Sequence, residues 1–536
     1  MWNSLRRIVT STSLILLAYG CGGGGSTPTQ VSPSITNFTA AKSTISIGSG
    51  TNLTFTFTGG SGSIDQGIGS VSSGGIASVS PSTTTTYTLS VTSSAGTSVS
   101  QKVTISVVPA PHITSFTATP TTISYGSNAT LTAVYENGSA WGSIPAIGNI
   151  VSGGPGVSTG PLFQPTTFFL NVTNAAGDVA TASVVVAVDS FENIGSSAVW
   201  DFASATLLSN GGVLFAGGGG DSTNTTTAAA TFLFDPLSGS FTPQSPMTVA
   251  RRSHTATLLP NGKILFAGGS NTSGYNGGVV NLNSAEEYDT STGSVATTGS
   301  MFTTRLYHTA TLLPSGLVLV VGGANGTTTP AVAELYNPAS KVFTKTGSMG
   351  AARGSGPSAT LLPNGKVLIV GGWSGSATLT NLQAELYDPA TGFFTTTGST
   401  TVPRAYHSAT LLPNGKVLIA GGDIVGAMGY TASAELYDPS SGTFTATGSM
   451  TTARIKFMAT LLLDGRVLIT GGLSNTPGPV GISELYDPST GIFAASAPMH
   501  TARWAHTATL LANGKVLIVG GSTNVGSQAG AEMFVP

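Results

Sequence analysis

Charge is scarce in these 536 residues: Asp, Glu, Lys and Arg together make up 7 %, against about 25 % in an ordinary soluble domain. The formal net charge of −2 leaves no basic footprint for nucleic acid and no attraction to an anionic membrane surface. A single cysteine, Cys21, excludes a disulfide within the chain. The apolar run at residues 8–18 is too short to span a bilayer. Disorder is excluded too, because it combines low hydrophobicity with high net charge, whereas hydrophobic residues here reach 40 %. What remains is a glycine-rich, Thr/Ser-rich chain, and one too long for a single core.

Residues 1–21 have the plan of a secretory signal: Arg6 and Arg7, a short apolar middle, then small residues before Cys21. The segment Leu17-Ala18-Tyr19-Gly20-Cys21 resembles the end of a bacterial lipoprotein signal, with Ala18 where leucine is usual and a bulky Tyr19. The resemblance implies lipidation of Cys21 and export to the cell envelope, at the outer membrane or cell surface, or secretion. Residues 22–33, opening with GGGGS, then form a flexible tether.

From about residue 34 the text becomes short alternating segments such as NLTFTFTG and TTYTLSVTSSAG. A Pro-Ala-Pro-His break at residues 109–112 restarts the same order. Thr, Val, Phe and Tyr at a period of two mark half-buried antiparallel strands. Residues 34–108 and 111–188 thus resemble two bacterial immunoglobulin-like β-sandwiches, which implies a spacer role.

Residues 191–536 repeat. Paired glycines begin at positions 217, 268, 322, 371, 421, 471 and 520, at intervals of 49 to 54 residues. The unit is shown by residues 404–422, RAYHSATLLPNGKVLIAGG, followed by a variable loop, AELYDP, a turn and GTFTATGSM. The order is strand, tight turn, strand, loop, strand, turn, strand, which is the plan of a four-stranded propeller blade. The glycine pair, the Tyr-Asp-Pro and the spacing resemble kelch repeats, and the R-x-Y-H-S-x-x-L-L-P-x-G form is similar to galactose-oxidase-like propellers. The fold class expected is therefore all-β: two sandwiches, then a seven-bladed kelch-type propeller. The last unit stops after its third strand, and residues from Phe191 onward match the missing fourth in register, so an N-terminal outer strand is expected to close the ring. Phe241, Val295, Phe343, Phe394, Phe444, Phe493 and Phe191 recur in the outer strand and read as core between blades.

Six units carry an arginine before the first strand and a glutamate in the third: Arg251 and Glu286, Arg305 and Glu334, Arg353 and Glu385, Arg404 and Glu435, Arg454 and Glu484, Arg503 and Glu532. The first unit has Trp200 and Phe232 instead, losing both charges together. Structural pairs spanning the glycine pair are expected. His254, His308, His407 and His506 share one repeat position, where the other units have Ala203, Pro357 and Phe457. Their expected task is hydrogen bonding to loop backbone, with His254 and His308 also candidates for a binding face.

The galactose-oxidase-like resemblance implies copper held by tyrosines and histidines, one tyrosine being cross-linked to a cysteine. Tyr406, His407 and His506 are weak candidates for that set. The first unit, however, reads Phe202-Ala203-Ser204 where the cysteine would fall. No catalytic constellation is complete, so neither cofactor nor enzymatic activity is expected. The variable loops, with Trp373 and Tyr430, suit a protein or carbohydrate partner at the cell exterior. A lipid-anchored monomeric binding protein is the expectation, and a galactose-oxidase-like or other carbohydrate-active enzyme is the alternative.

Overall fold

Alternation decides the first strands. In Thr51–Thr58 the residues Leu53, Phe55 and Phe57 are buried, while those between them are exposed or half-buried. A pleated strand with one face on a core requires this period of two. The computed structural model describes residues 31–142, 150–196, 201–219, 227–271, 280–326, 329–373, 382–424, 429–476, 478–524, 526–527 and 530–536. The fold is all-β: among the described residues there is no helix, hence none long and apolar enough to cross a membrane. Cys21 and Trp200 lie outside the described residues.

The chain divides into two compact units. One comprises Met1–Phe116, Thr132–Pro155 and Phe169–Ala182. Within it Ser34–Ala40, Thr51–Thr58 and Ile76–Val79 form a three-stranded sheet. A five-stranded sheet holds Thr44–Ser46, Ser98–Val108, Thr85–Thr92, Ser61–Ile64 and Gly69–Val71. Phe38, Leu53 and Phe55 of the first meet Tyr87, Leu89, Val91 and Ile105 of the second in one core.

The other unit comprises Thr117–Leu131, Gly156–Phe168 and Ser183–Pro536. It contains seven four-stranded antiparallel sheets among its described residues. The fifth is typical, with Ser408–Leu411, Val417–Ala420, Ala434–Asp438 and Thr443–Ala446 in sequence order. The first strands of the others are Ser204–Leu207, Thr255–Leu258, Thr309–Leu312, Ser358–Leu361, Met458–Leu461 and Thr507–Leu510. Each first strand neighbours the next in chain order, and Thr507–Leu510 returns to Ser204–Leu207, so the series closes on itself. In the seventh sheet the outer strand is Ser190–Ser196, antiparallel to Gly530–Val535. Phe191 stands opposite Phe534, and the register shifts between Asn193 and Gly195.

The second strands explain why the sheets stack. Val417, Leu418, Ile419 and Ala420 are all buried, because both faces of the strand are covered. Leu418 and Ala420 pack against Val467 and Ile469 of the sixth sheet. Val417 and Ile419 pack against Leu368 and Val370 of the fourth. Seven such seams recur round the cycle, the last joining Leu517 and Val519 to Val213 and Phe215. Burying each such side chain stabilises the fold by about 1.5–3 kcal/mol. The outer-strand residues join these seams, with Phe343 against Tyr336 at 4.8 Å and Phe444 against Tyr437 at 4.9 Å between ring centroids. Tyrosine hydroxyls also latch one sheet to its predecessor, Tyr336 to Thr298 at 2.8 Å and Tyr437 to Thr397 at 2.9 Å.

Candidate functional site

The six arginines are the largest fully buried side chains of the unit. Each places Nη2 on the glutamate of its own sheet, at 2.5 Å for Arg251–Glu286, 3.0 Å for Arg305–Glu334 and 2.9 Å for Arg353–Glu385. The distances are 2.9 Å for Arg404–Glu435 and 2.6 Å for both Arg454–Glu484 and Arg503–Glu532. Each Nη1 donates to the carbonyl of the first glycine of the same pair, as in Arg404 to Gly421 at 2.8 Å. The glutamate's other oxygen accepts a backbone N–H from the turn before the arginine, for example Thr401 N to Glu435 at 2.9 Å. Burial lowers the guanidinium pKa from its ordinary value and the glutamate opposes the shift. These buried pairs hold the turn and the third strand together. A buried ion pair of this kind is costly to break, because the surviving partner is left unpaired in a low-dielectric setting.

The histidines pin the seams, and their partners differ from the loop backbone expected. Nε2 of His254, His308 and His407 meets the hydroxyl of Ser204, Thr255 and Ser358 at 2.9, 3.1 and 2.8 Å. Each hydroxyl opens the first strand of the preceding sheet. Before His506 that place is held by Met458, and Thr470, its cross-strand partner, supplies the hydroxyl at 3.0 Å. The paired glycines are required here. Both have positive φ, 64° and 110° at Gly421 and Gly422. A Cβ on Gly371 would stand 2.2 Å from the Arg404 carbonyl and 2.8 Å from the His407 ring. Burial, then the neighbouring arginines, holds His407 and His308 at a pKa of about 3, far below 6.5. His254 and His308 therefore do not belong to a binding face; both are buried between sheets.

One residue before the histidine position, each sheet contributes to a ring: Phe202, Ser253, Tyr307, Gly356, Tyr406, Lys456 and Ala505. All seven have positive φ, with the six non-glycines between 51° and 54°. Non-glycine residues held there carry strain of order 1–3 kcal/mol each. Backbone hydrogen bonds offset it by running from sheet to sheet. Ser253 N donates to Phe202 O at 3.1 Å, Tyr307 N to Ser253 O at 3.2 Å and Tyr406 N to Gly356 O at 3.0 Å. Lys456 N donates to Tyr406 O at 3.3 Å, Ala505 N to Lys456 O at 3.1 Å and Phe202 N to Ala505 O at 3.0 Å.

Lys456 is the charged member among these seven. Its Nζ lies 4.9 Å from the centroid of Trp504, 5.0 Å from Tyr406, 5.2 Å from Phe202 and 5.8 Å from Tyr307. The rings meet edge to face, Phe202 on Trp504 at 5.4 Å and Tyr307 on Tyr406 at 5.5 Å. Desolvation in this aromatic cage lowers the lysine pKa to about 8; Asp201 and Asp423 oppose the shift and Arg252 adds to it. Asp201 is buried, with Oδ2 accepting from Ser522 Oγ at 2.5 Å and Oδ1 without a hydrogen-bond partner among the described residues. Burial raises the Asp423 pKa above 3.8. Lys456 and the four rings are half-buried and so still meet solvent. Sequence reasoning missed this cage, although the lysine stands out once the seven turns are aligned one place before the histidines.

The variable loops start at the same end. Ala405 bridges to Asp423 and Trp504 to Ser522, so the residue after each arginine pairs with the residue after the glycine pair. Trp373 begins the fourth loop and is 44 % exposed. Tyr430 is half-buried, its backbone N–H and carbonyl braced by the Asn475 side chain at 2.7 and 3.0 Å.

Together these features define a propeller-like all-β fold with an aromatic, lysine-centred cage at its loop-bearing end. No family model matches the chain, and no curated protein matches it in sequence. Solved structures match in 538 chains, so the fold is widely used. One is a novel fungal alcohol oxidase with catalytic diversity among the AA5 family, in complex with copper. It is 20 % identical, with a TM-score of 0.52, over 64 % of this chain and 77 % of that one. This likeness is one of fold. It nevertheless corrects the expectation that the chain is not an enzyme. That expectation rested on the lack of a complete catalytic constellation in the sequence, and a chain of this fold is an oxidase. The copper set itself does not fit here. His407 and His506 spend Nε2 on hydroxyls in separate seams, Tyr406 lies in the cage, and Cys21 is the chain's one cysteine. Among the described residues no three His, Cys, Asp or Glu side chains converge to hold a metal ion.

Proposed function

We propose that this chain is an exported, lipid-anchored envelope protein whose C-terminal domain is a carbohydrate-active enzyme. In this reading Cys21 carries the anchor, residues 34–108 and 111–188 are immunoglobulin-like spacers, and residues 191–536 are a seven-bladed kelch-type propeller closed by its N-terminal outer strand. The axial cage is the active site. The observation that carries the reading is an amine of lowered pKa among four aromatic rings, at the end where the variable loops begin. Aromatic faces suit the apolar faces of sugar rings, and Asp201, Asp423 and Arg252 provide acceptors and donors for hydroxyls. Lys456, with its pKa lowered by burial to about 8, supplies a group able to exchange a proton at working pH. The propeller-like likeness to an alcohol oxidase supports the same substrate class. No step is routed through copper, because the donor set does not converge. Glycan capture by the loops, Trp373 included, is the binding step of this activity.

The test is turnover. Purified full-length protein is incubated with a panel of mono- and oligosaccharides and primary alcohols, and products are read by mass spectrometry. Loss of a substrate with Lys456→Met supports the proposal. No turnover of any member, in metal-free and copper-loaded preparations alike, overturns it.

A further inference from the structure

We propose that Lys456 is a nucleophilic amine that forms an imine with a carbonyl compound, an aldehyde or the open-chain form of a reducing sugar. The inference deepens the reading of the cage as the active site and rests on it. The geometry is the first argument. The amine is ringed by Phe202, Tyr307, Tyr406 and Trp504 at 4.9 to 5.8 Å and, among the described residues, makes no ion pair within salt-bridge distance. By contrast, Lys263, Lys366 and Lys416 are each bound to an aspartate at 3.1 Å. An amine with no bonded carboxylate can swing toward a substrate without first breaking an ion pair.

The surroundings then favour the neutral form. A lysine desolvated by apolar walls, with a second cation nearby, is the arrangement that activates amines; here the walls are the four rings and the cation is Arg252. A pKa of about 8 leaves about one-tenth of the amine unprotonated at pH 7, against less than about one-thousandth for an ordinary lysine near 10.4. The charged groups acting on the amine are Asp201, Asp423 and Arg252. Asp423, whose own carboxyl is held by burial above its ordinary pKa, acts on the amine through its charge.

The step balances. The neutral amine nitrogen attacks the carbonyl carbon and a C–N bond forms. The carbonyl oxygen takes up a proton to give a carbinolamine. That hydroxyl leaves as water with a second proton, and the nitrogen lone pair closes the C=N bond. Both N–H protons end in the water released, and nothing is oxidised or reduced.

The test uses the full chain with glycolaldehyde and, separately, D-galactose, each in the presence of sodium cyanoborohydride to reduce any imine to a stable secondary amine. Peptide mapping should place one adduct on Lys456, forming at least ~10-fold faster at pH 7 than on the exposed Lys102. Its rate should rise through about pH 8, the pKa of this amine. Lys456→Arg, which keeps the charge, should lose the fast adduct. Labelling of Lys456 no faster than of Lys102 in the native protein overturns the proposal whether or not the variants fold. Sugar turnover without this adduct also overturns it, while leaving the enzymatic reading intact. A fast adduct without turnover supports the reactive amine and defeats only the broader reading.

Discussion

The seams and the axial ring sit one residue apart in every repeat and follow opposite rules. At the seam position a histidine recurs four times and does the same task each time, reaching a hydroxyl of the preceding sheet. At the ring position the backbone is the constant part, with positive φ and a hydrogen bond from sheet to sheet, while the side chains run from glycine to tryptophan-contacting lysine. What recurs holds the sheets together. What varies is free to carry chemistry.

Breaking the seam should cost most. Arg404→Ala leaves Glu435, which is 1 % exposed, without its cation, and a loss of about 3–5 kcal/mol is expected, read by denaturant unfolding. A loss below about 1 kcal/mol would mean that the buried pair is dispensable. His407→Phe should cost less, about 1 kcal/mol at neutral pH for the hydrogen bond to Ser358, since the sixth sheet already carries Phe457 at this position. It should also alter the acid limb. The folded histidine has a pKa of about 3 against 6.5 when exposed. The unfolded chain therefore takes up the proton first, and the native protein loses stability as pH falls from 6.5 toward 3. The phenylalanine variant should show a shallower decline over that window, and an unchanged slope would count against a buried neutral imidazole. Smallest is Lys456→Met, which removes cation–π contacts but also relieves desolvation, and should change stability by less than about 1 kcal/mol. If it unfolds the protein as Arg404→Ala does, the ring belongs to the scaffold after all.

Much of this scaffold could be read directly from the residues. The glycine pairs at near-equal spacing, the all-apolar second strand and the joint loss of arginine and glutamate in the first unit all have local causes that repeat. So does the outer strand around Phe191, whose text matches its sisters. The cage could not be read that way, because nothing near Lys456 in the chain is aromatic except Phe457, and the rings around it come from four other sheets. The hydroxyl that serves His506 was hidden for a similar reason. Thr470 substitutes for a position lost to Met458 only because the two face each other across a ladder. Trp373 and Tyr430 sit in loops with no shared pattern, so the repeats give no local cause from which to read a role for them.

The pairing of Ser190–Ser196 with Gly530–Val535 has a mechanical meaning. All seven junctions between sheets are crossed by the peptide chain, the one from the seventh sheet to the first by the segment that leads from Ser190–Ser196 to Ser204–Leu207. The break falls inside the seventh sheet, where Ser190–Ser196 and Gly530–Val535 are joined only by a ladder of hydrogen bonds and by packing such as Phe191 on Phe534. Force that draws these two strands apart therefore meets no covalent link, and the seventh sheet parts between its third and outer strands. A permuted chain that fused residue 536 to residue 190 and opened elsewhere would move that weak link to a new sheet without altering any seam.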